Sequence, residues 1–249
     1  MAIGTFFGKF FLIKLFPLLK DCFDTKNQDF PINKENLKEN IVSLAEEVGY
    51  KDAANKIVIY SSRGGDLHSN ASVNGQTINL SIELFKHHDG FDEEILAIFY
   101  HELGHWKNGD IYLTIAVDIV YMTFLAFFFK MCLNNPVFLT QFGFAHESLF
   151  ISIYLFYKVY SVSIDYPIRK MYMPLYRFYE RRADKFAVDN GHGKALRSGL
   201  LRNYSENNDP IFVDDFFAQM TMNHPTLMDR CHFLDEYKKD HFARKEDTE

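Results

Sequence analysis

Two histidines and a glutamate in the segment His101-Glu102-Leu103-Gly104-His105 have the types and spacing that a metal-dependent hydrolase needs. Residues four apart on an α-helix lie about 40° from each other, so His101 and His105 share one face. Zn²⁺ binds imidazole nitrogens at about 2.0–2.1 Å. Glu102 lies between them and can act as general base on an attacking water. The pattern predicts a zinc-binding helix; the alternative is a surface helix with two unrelated histidines.

A third ligand is expected on a second helix, because a catalytic zinc has three protein ligands and one open position. Glu180 and Asp184 are again four residues apart. Glu180 is the candidate third ligand, and Asp184 is the candidate to hold a ligand histidine by its other ring nitrogen. The alternative is a solvated charged helix whose carboxylates pair with neighbouring arginine and lysine side chains.

Four segments, in their order and spacing, resemble the CAAX prenyl protease 1 (a-factor-converting) family of integral-membrane zinc metalloproteases. The segments are His68-Ser69-Asn70-Ala71, the zinc helix extended to Trp106, the stretch from Glu180 to Asp189, and the stretch from His224-Pro225 to Arg230. The resemblance extends from Pro17 to Tyr237. It implies one Zn²⁺ per chain, held by His101, His105 and Glu180.

The resemblance also assigns roles to three residues outside the two helices. It implies that His224 donates to the oxyanion of the tetrahedral intermediate. Asn70 becomes a candidate substrate contact, and Arg230 is expected to pair with a carboxylate at the site or to bind substrate. From the residues alone, Asn70 is equally well a polar residue near a turn, and His224 a helix-cap histidine before Pro225.

The implied activity is removal of the C-terminal tripeptide from prenylated CAAX proteins at the endoplasmic reticulum membrane, with prenylated substrate and membrane lipid as partners. Members of that family carry further transmembrane helices before the part matched here. The chain therefore resembles an N-terminally shortened member, for which a homo-oligomer or a missing helical partner is an open alternative.

Two other functions stay open. An HtpX-like membrane-protein quality-control protease shares the zinc motifs and has a shorter layout. A non-catalytic membrane scaffold would keep zinc for folding, but the intact Glu102 speaks against it because structural zinc needs no base.

The composition sets limits on the class of protein. Hydrophobic residues make up 47% and aromatic residues 16% of the 249 residues, which favours membrane contact. The net charge of −6 argues against a general nucleic-acid binder. The 3 cysteines are scattered and form neither a disulfide framework nor a metal knuckle.

The patterns predict a mostly α fold with a small antiparallel β-sheet, a zincin-like metalloprotease core and a transmembrane helical hairpin. Residues 1–20 are an N-terminal membrane-associated segment, and residues 21–249 are the zinc metalloprotease domain. Apolar spacing predicts a helix over 33–48. Strands are expected at 56–62, 67–73 and 76–82, the last two joined by a hairpin at Asn74-Gly75.

Two apolar stretches are predicted to cross the membrane, at about 111–130 and 148–165. The loop between them, from Leu133 to Glu147, has no lysine or arginine, whereas the residues on the other side are rich in both. The positive-inside rule then makes the catalytic side cytosolic. Pro167 and Pro174 are expected to break the helix before the Glu180 segment.

Overall fold

The computed structural model describes residues 25–31, 34–62, 70–74, 76–133, 135–144, 148–222 and 224–246. The predicted N-terminal membrane-associated segment, residues 1–20, lies outside the described residues, as do His68 and Ser69. Asn70 is the first described residue of the segment that they begin.

Helices predominate, and the strands are short. In the described residues the strands are β1 (Thr25–Gln28), β2 (Ile57–Ser62), β3 (Ala71–Asn74) and β4 (Thr77–Ser81). The helices are α1 (Glu35–Val48), α2 (Ala53–Lys56), α3 (Ile82–His87), α4 (Asp92–Asn108), α5 (Asp110–Leu133), α6 (Pro136–Gln141), α7 (Leu149–Tyr160), α8 (Tyr166–Asp189), α9 (Gly193–Glu206), α10 (Asp215–Thr221) and α11 (Leu227–Glu246).

The sheet is mixed, so the prediction of an antiparallel sheet was wrong in one pairing. Its strand order is β1-β2-β4-β3. Strands β3 and β4 pair antiparallel as the Asn74-Gly75 signal predicted, and β1 pairs antiparallel with β2. Strand β2, however, runs parallel to β4. The chain enters β3 at the edge of the sheet and returns through β4, which therefore lies between β3 and β2.

Helix α4, which carries the H-E-x-x-H segment, runs through the main hydrophobic core. From Glu94 to Gly104 every residue of this helix is buried. Ile95, Phe99 and Leu103 are fully buried and pack with residues of α1, α9, α11 and the sheet. Three acidic residues occupy the first turn, where the helix dipole favours negative charge. Burial on all sides holds the two histidines at a fixed position in the core.

Helix α5 is long and apolar enough to cross a membrane, and among the described residues no other helix passes the same test. Its mean hydropathy is 2.0 over an 18-residue window of which only 11% is buried. The second predicted span appears as α7, which packs on α5 through a separate apolar cluster. In this cluster the rings of Phe129 and Phe156 lie 4.6 Å apart.

The helix from α7 to α8 continues through both prolines, so the predicted break there was wrong. A π-helical turn, Ser161–Asp165, links α7 directly to α8. Pro167 is the second residue of α8 and follows the π-helical turn almost directly. Pro174 lies inside α8. Contacts on either side of Pro174 hold the helix there, since Tyr172 donates to Asp118 on α5 at 3.1 Å and Arg177 donates to the carbonyl oxygen of Ala218 on α10 at 2.8 Å.

Candidate metal centre

The site is built where α4 and α8 touch at a glycine. A Cβ added to Gly104 would lie 3.0 Å from the Cα of Ala183 and 3.1 Å from the Cβ of Phe186. Only glycine lets the two helix backbones approach this closely. Glu180 lies about one turn before Ala183 on α8, and it therefore faces the histidines of α4.

The structure brings the three predicted ligands together. His101 Nε2 lies 3.4 Å from one carboxylate oxygen of Glu180, and His105 Nε2 lies 3.5 Å from the other. One ligand atom from each of the three residues lies within 4.8 Å of the other two. Two imidazole nitrogens and one carboxylate oxygen form a donor set that suits a catalytic zinc ion.

Each histidine is held from behind by an aspartate. His101 Nδ1 lies 2.9 Å from Asp184 Oδ1, which is the partner that the sequence predicted. His105 Nδ1 lies 2.8 Å from Asp110 Oδ2. A carboxylate on Nδ1 fixes the tautomer and leaves the Nε2 lone pair for a metal. Asp110 was not among the residues that the sequence pattern singled out, because it lies between the zinc-helix motif and the apolar stretch that begins at 111.

Gly109 explains why Asp110 reaches His105. On a continuous helix, a residue five positions later points about 140° away. Gly109 instead ends α4 in the left-handed conformation, with φ of 68°, and α5 starts at the next residue. The combination of a histidine, a glycine four residues later and then an aspartate was the available signal.

Arg230 on α11 is buried among the carboxylates of the site. Its Nε and Nη2 lie 3.0 and 2.5 Å from the two oxygens of Asp184, and its Nη1 lies 3.4 Å from Glu180. Burial alone would lower the pKa of Arg230, but the charges of Asp184 and Glu180 raise it above its usual value. Of the two roles expected for Arg230, this placement favours pairing with carboxylates of the site over binding substrate directly.

The remaining predicted residues differ in exposure. Glu102 is buried within α4, with 9% of its surface exposed. His224 contacts Glu180 through Nδ1 at 2.9 Å, yet its side chain is 62% exposed, so it marks the open side of the group. Asn70 is exposed at the start of the edge strand β3. Its backbone exchanges hydrogen bonds with Ser81, and no described side-chain contact joins it to the histidines.

The charges within the cluster stabilise one another. Burial alone would raise the pKa of Glu180, but hydrogen bonds with His101, His105 and His224 hold it well below its usual range. Burial alone would also lower the pKa of His105. Its hydrogen bonds with Asp110 and Glu180 outweigh that effect and raise the pKa to about 10. The hydrogen bonds of the site thus favour an ionised Glu180 carboxylate with a positive charge next to it.

The chain resembles known proteins in both sequence and fold. Residues 31–238 match the sequence profile of Peptidase family M48. A protein of Schizosaccharomyces pombe named "Probable CAAX prenyl protease 1" is 28% identical over 209 residues, which are 82% of this chain and 43% of that protein. The "CAAX prenyl protease 1 homolog" of Arabidopsis thaliana is 29% identical over 214 residues, 84% of this chain and 49% of that protein.

A solved structure shows the same fold. The chain in "Crystal Structure of S. mikatae Ste24p" superposes with a TM-score of 0.75 at 23% sequence identity, covering 94% of this chain and 57% of that chain. This chain thus spans about half the length of the relatives that it matches. With the profile match extending over most of its residues, the chain belongs to peptidase family M48.

Proposed function

We propose that the chain is a membrane zinc metalloendopeptidase that removes the C-terminal tripeptide from prenylated CAAX proteins. The observation that carries the proposal is the convergence of His101, His105 and Glu180, with Glu102 on the same helix as the histidines. The names of the matched relatives supply the substrate class. Because the chain spans about half of each relative, its activity as a whole protein has to be tested directly.

The metal is proposed to be one Zn²⁺ per chain. Two imidazoles and a carboxylate are the ligand set of catalytic zinc in many peptidases, and both rings have the carboxylate partners that such ligands require. Zinc bound there would supply Lewis acidity, which activates a water molecule and stabilises negative charge on the scissile carbonyl oxygen.

The chain's own residues then divide the work of hydrolysis. Glu102 takes a proton from the water that attacks the scissile carbonyl carbon, and it passes that proton to the amine that leaves when the C–N bond breaks. His224, exposed at the open side of the group, donates a hydrogen bond to the developing oxyanion. Asp184 and Arg230 keep His101 and Glu180 in position.

The surroundings of the site suit an extended peptide that ends in a lipid. Among the described strands, β3 lies at the edge of the sheet and packs against α4, so the backbone groups on its outer side can pair with a substrate strand. Asn70, just before β3, is the proposed side-chain contact. The first residue of the apolar helix α5 contacts His105, and the site therefore adjoins the level at which a prenyl chain would enter the bilayer.

The membrane arrangement is part of the proposal. Helices α5 and α7 form a transmembrane hairpin, supported by the apolar cluster between them and by the exposed apolar surface of α5. The zincin-like core lies on the cytosolic side of the endoplasmic reticulum membrane, supported by the lysine and arginine bias of the sequence. A homo-oligomer or a helical partner would cover apolar surface that lipid otherwise covers.

The test is cleavage of a farnesylated CAAX peptide and of its unprenylated twin by the purified full chain in detergent. We expect cleavage of the prenylated peptide, loss of cleavage on chelation, and recovery when Zn²⁺ is returned. The matched control is Glu102→Gln, which keeps the size of the side chain and the zinc ligands but removes the base.

Two results would contradict the proposal. Glu102-dependent cleavage of an unfolded membrane protein, without cleavage of the farnesylated peptide, would indicate a quality-control protease of the HtpX type. Zinc binding with no cleavage of either substrate would favour the non-catalytic scaffold.

A further inference from the structure

Asp110, the first residue of the membrane-level helix α5, is a buried carboxylate whose two oxygens face two different partners. Its side chain is 7% exposed. Oδ2 accepts a hydrogen bond from His105 Nδ1 at 2.8 Å, and Oδ1 accepts one from Arg182 Nη2 on α8. Three helices, α4, α5 and α8, therefore meet at this single carboxylate.

Arg182 is itself held in place on α8. Its guanidinium lies 5.1 Å from the ring centroid of Phe178 and 5.6 Å from that of Tyr179. A second contact from Nη2 reaches the carbonyl oxygen of Asn108, in the last turn of α4, at 3.5 Å. Arg182 thus joins α8 to the segment where α4 ends and α5 begins.

The arrangement repeats the one behind the other histidine. His101 is backed by Asp184, and Asp184 is backed by Arg230. His105 is backed by Asp110, and Asp110 is backed by Arg182. In both cases a carboxylate fixes the Nδ1–H tautomer and the ring plane of a metal-binding imidazole, and an arginine fixes the carboxylate.

The geometry points to Asp110, held by Arg182, as a positioning residue for His105 that couples the first turn of the membrane helix α5 to the metal centre. This inference rests on the proposed zinc site. Because Asp110 is the first residue of α5, a shift of that helix relative to α8 moves its carboxylate and turns the His105 ring. The hydrogen bond at Nδ1 then weakens, and with it the orientation of Nε2.

The chain offers a matched control for this carboxylate. Asp118 is about two turns farther along the same helix. It accepts a hydrogen bond from Tyr172 and contacts neither histidine in the described structure. Asp110→Asn and Asp118→Asn each remove one negative charge from α5 and keep the shape of the side chain. Only Asp110→Asn removes the negative charge that lies behind a metal-binding histidine, His105.

The experiment measures the zinc dissociation constant of the full chain in detergent by competition with a chromophoric chelator. Asp110→Asn should weaken zinc binding by about 10- to 100-fold, the usual cost of losing such a partner, and Asp118→Asn should leave it unchanged. With Co²⁺ in place of Zn²⁺, the visible absorption bands should change in position or intensity for Asp110→Asn. The bands of Asp118→Asn should match those of the unaltered chain.

A double-mutant cycle separates positioning from general stability. Arg182→Met should weaken zinc binding less than Asp110→Asn does, and the two changes together should cost no more than Asp110→Asn alone, because Arg182 acts through Asp110. Should Asp110→Asn fail to fold, Arg182→Met and Arg182→Lys carry the same test, with Lys restoring part of the affinity.

Two different failures are distinguishable. If the unaltered chain binds no zinc, the proposed function fails and this inference fails with it. If the unaltered chain binds zinc, and Asp110→Asn matches it in affinity and in the Co²⁺ spectrum, only the positioning role of Asp110 is overturned. Additive effects of the Asp110 and Arg182 changes would overturn the link between those two residues.

Discussion

Replacing Gly104 by alanine should weaken metal binding while the protein still folds. A Cβ at this position would lie 3.0 Å from the Cα of Ala183 and 3.3 Å from its carbonyl oxygen. Carbon atoms in contact prefer separations of about 3.5–4.0 Å. Since the obstructing atoms include backbone, α8 has to move away from α4 by about 0.5–1 Å.

The cost to the fold is modest because two effects oppose each other. Overpacking of a core contact costs about 1–3 kcal/mol. Alanine is a better helix former than glycine by about 1 kcal/mol, and this gain offsets part of the cost. We therefore expect Gly104→Ala to lower the free energy of unfolding by about 0–2 kcal/mol.

Metal binding carries a separate cost. Glu180 lies on α8 about one turn from Ala183, so it moves away from His101 and His105 with the helix. Metal–ligand distances hold to about 0.2 Å, several times less than the expected shift. Zinc binding should weaken by about tenfold or more, equivalent to about 1.4 kcal/mol. Competition with a chelator gives the zinc affinity, and chemical denaturation gives the stability.

Gly199→Ala is the control at a second helix contact. A Cβ there would meet the Cβ of Glu94 at 3.3 Å and the Cδ1 of Ile98 at 3.4 Å, between α9 and α4 and away from Glu180. This change should alter stability without altering zinc affinity. If Gly104→Ala bound zinc as tightly as the unaltered chain, the close approach of α4 and α8 would not be what sets the ligand geometry.

Three further predictions concern other parts of the chain. Burial alone would raise the pKa of Glu94, but hydrogen bonds with Arg202 and its neighbours lower it below 4.5. The ionised Glu94 carboxylate therefore stabilises the fold above pH 4.5, and this stabilisation is lost as the pH falls. In chemical denaturation, Glu94→Gln should be less stable than the unaltered chain by about 1.5–3 kcal/mol at pH 7 and little different from it in acid. His224→Ala should lower kcat by about 10²- to 10³-fold with zinc still bound, as measured on the farnesylated peptide. Leu125→Ala, at a position 1% exposed between α5 and α7, should cost about 2–5 kcal/mol in detergent unfolding, whereas Ile119→Ala, 62% exposed on the same helix, should cost far less.

Local periodicity was enough to predict the parts of the site that lie within one helix. His101, Glu102 and His105 have a fixed relation on any α-helix, and the fully buried helix α4 preserves it. Glu180 and Asp184 have the same four-residue relation on α8. That α8 packs against α4 at Gly104 could not be read from spacing, and only the family resemblance connected the two segments.

The failures came from positions where tertiary contacts override a local rule. Gly109 interrupts the helix with a single left-handed residue, and this turn brings Asp110 back to His105. Pro174 stays inside a helix because hydrogen bonds from Tyr172 and Arg177, before and after it, tie α8 to other helices.

The prediction of an all-antiparallel sheet failed for a related reason. The Asn74-Gly75 signal correctly predicted the local pairing of β3 with β4. The parallel pairing of β2 with β4 depends on where the chain returns to the sheet, and no short sequence pattern encodes that choice.

Zinc K-edge X-ray absorption on the full chain, loaded with one equivalent of Zn²⁺, tests the metal centre most directly. We expect a first shell of nitrogen and oxygen only, at about 2.0–2.1 Å, with outer-shell scattering from two imidazole rings. One imidazole should disappear from the spectrum of His105→Ala. A sulfur shell at about 2.3 Å, or a spectrum unchanged by that substitution, would contradict zinc binding by His101, His105 and Glu180.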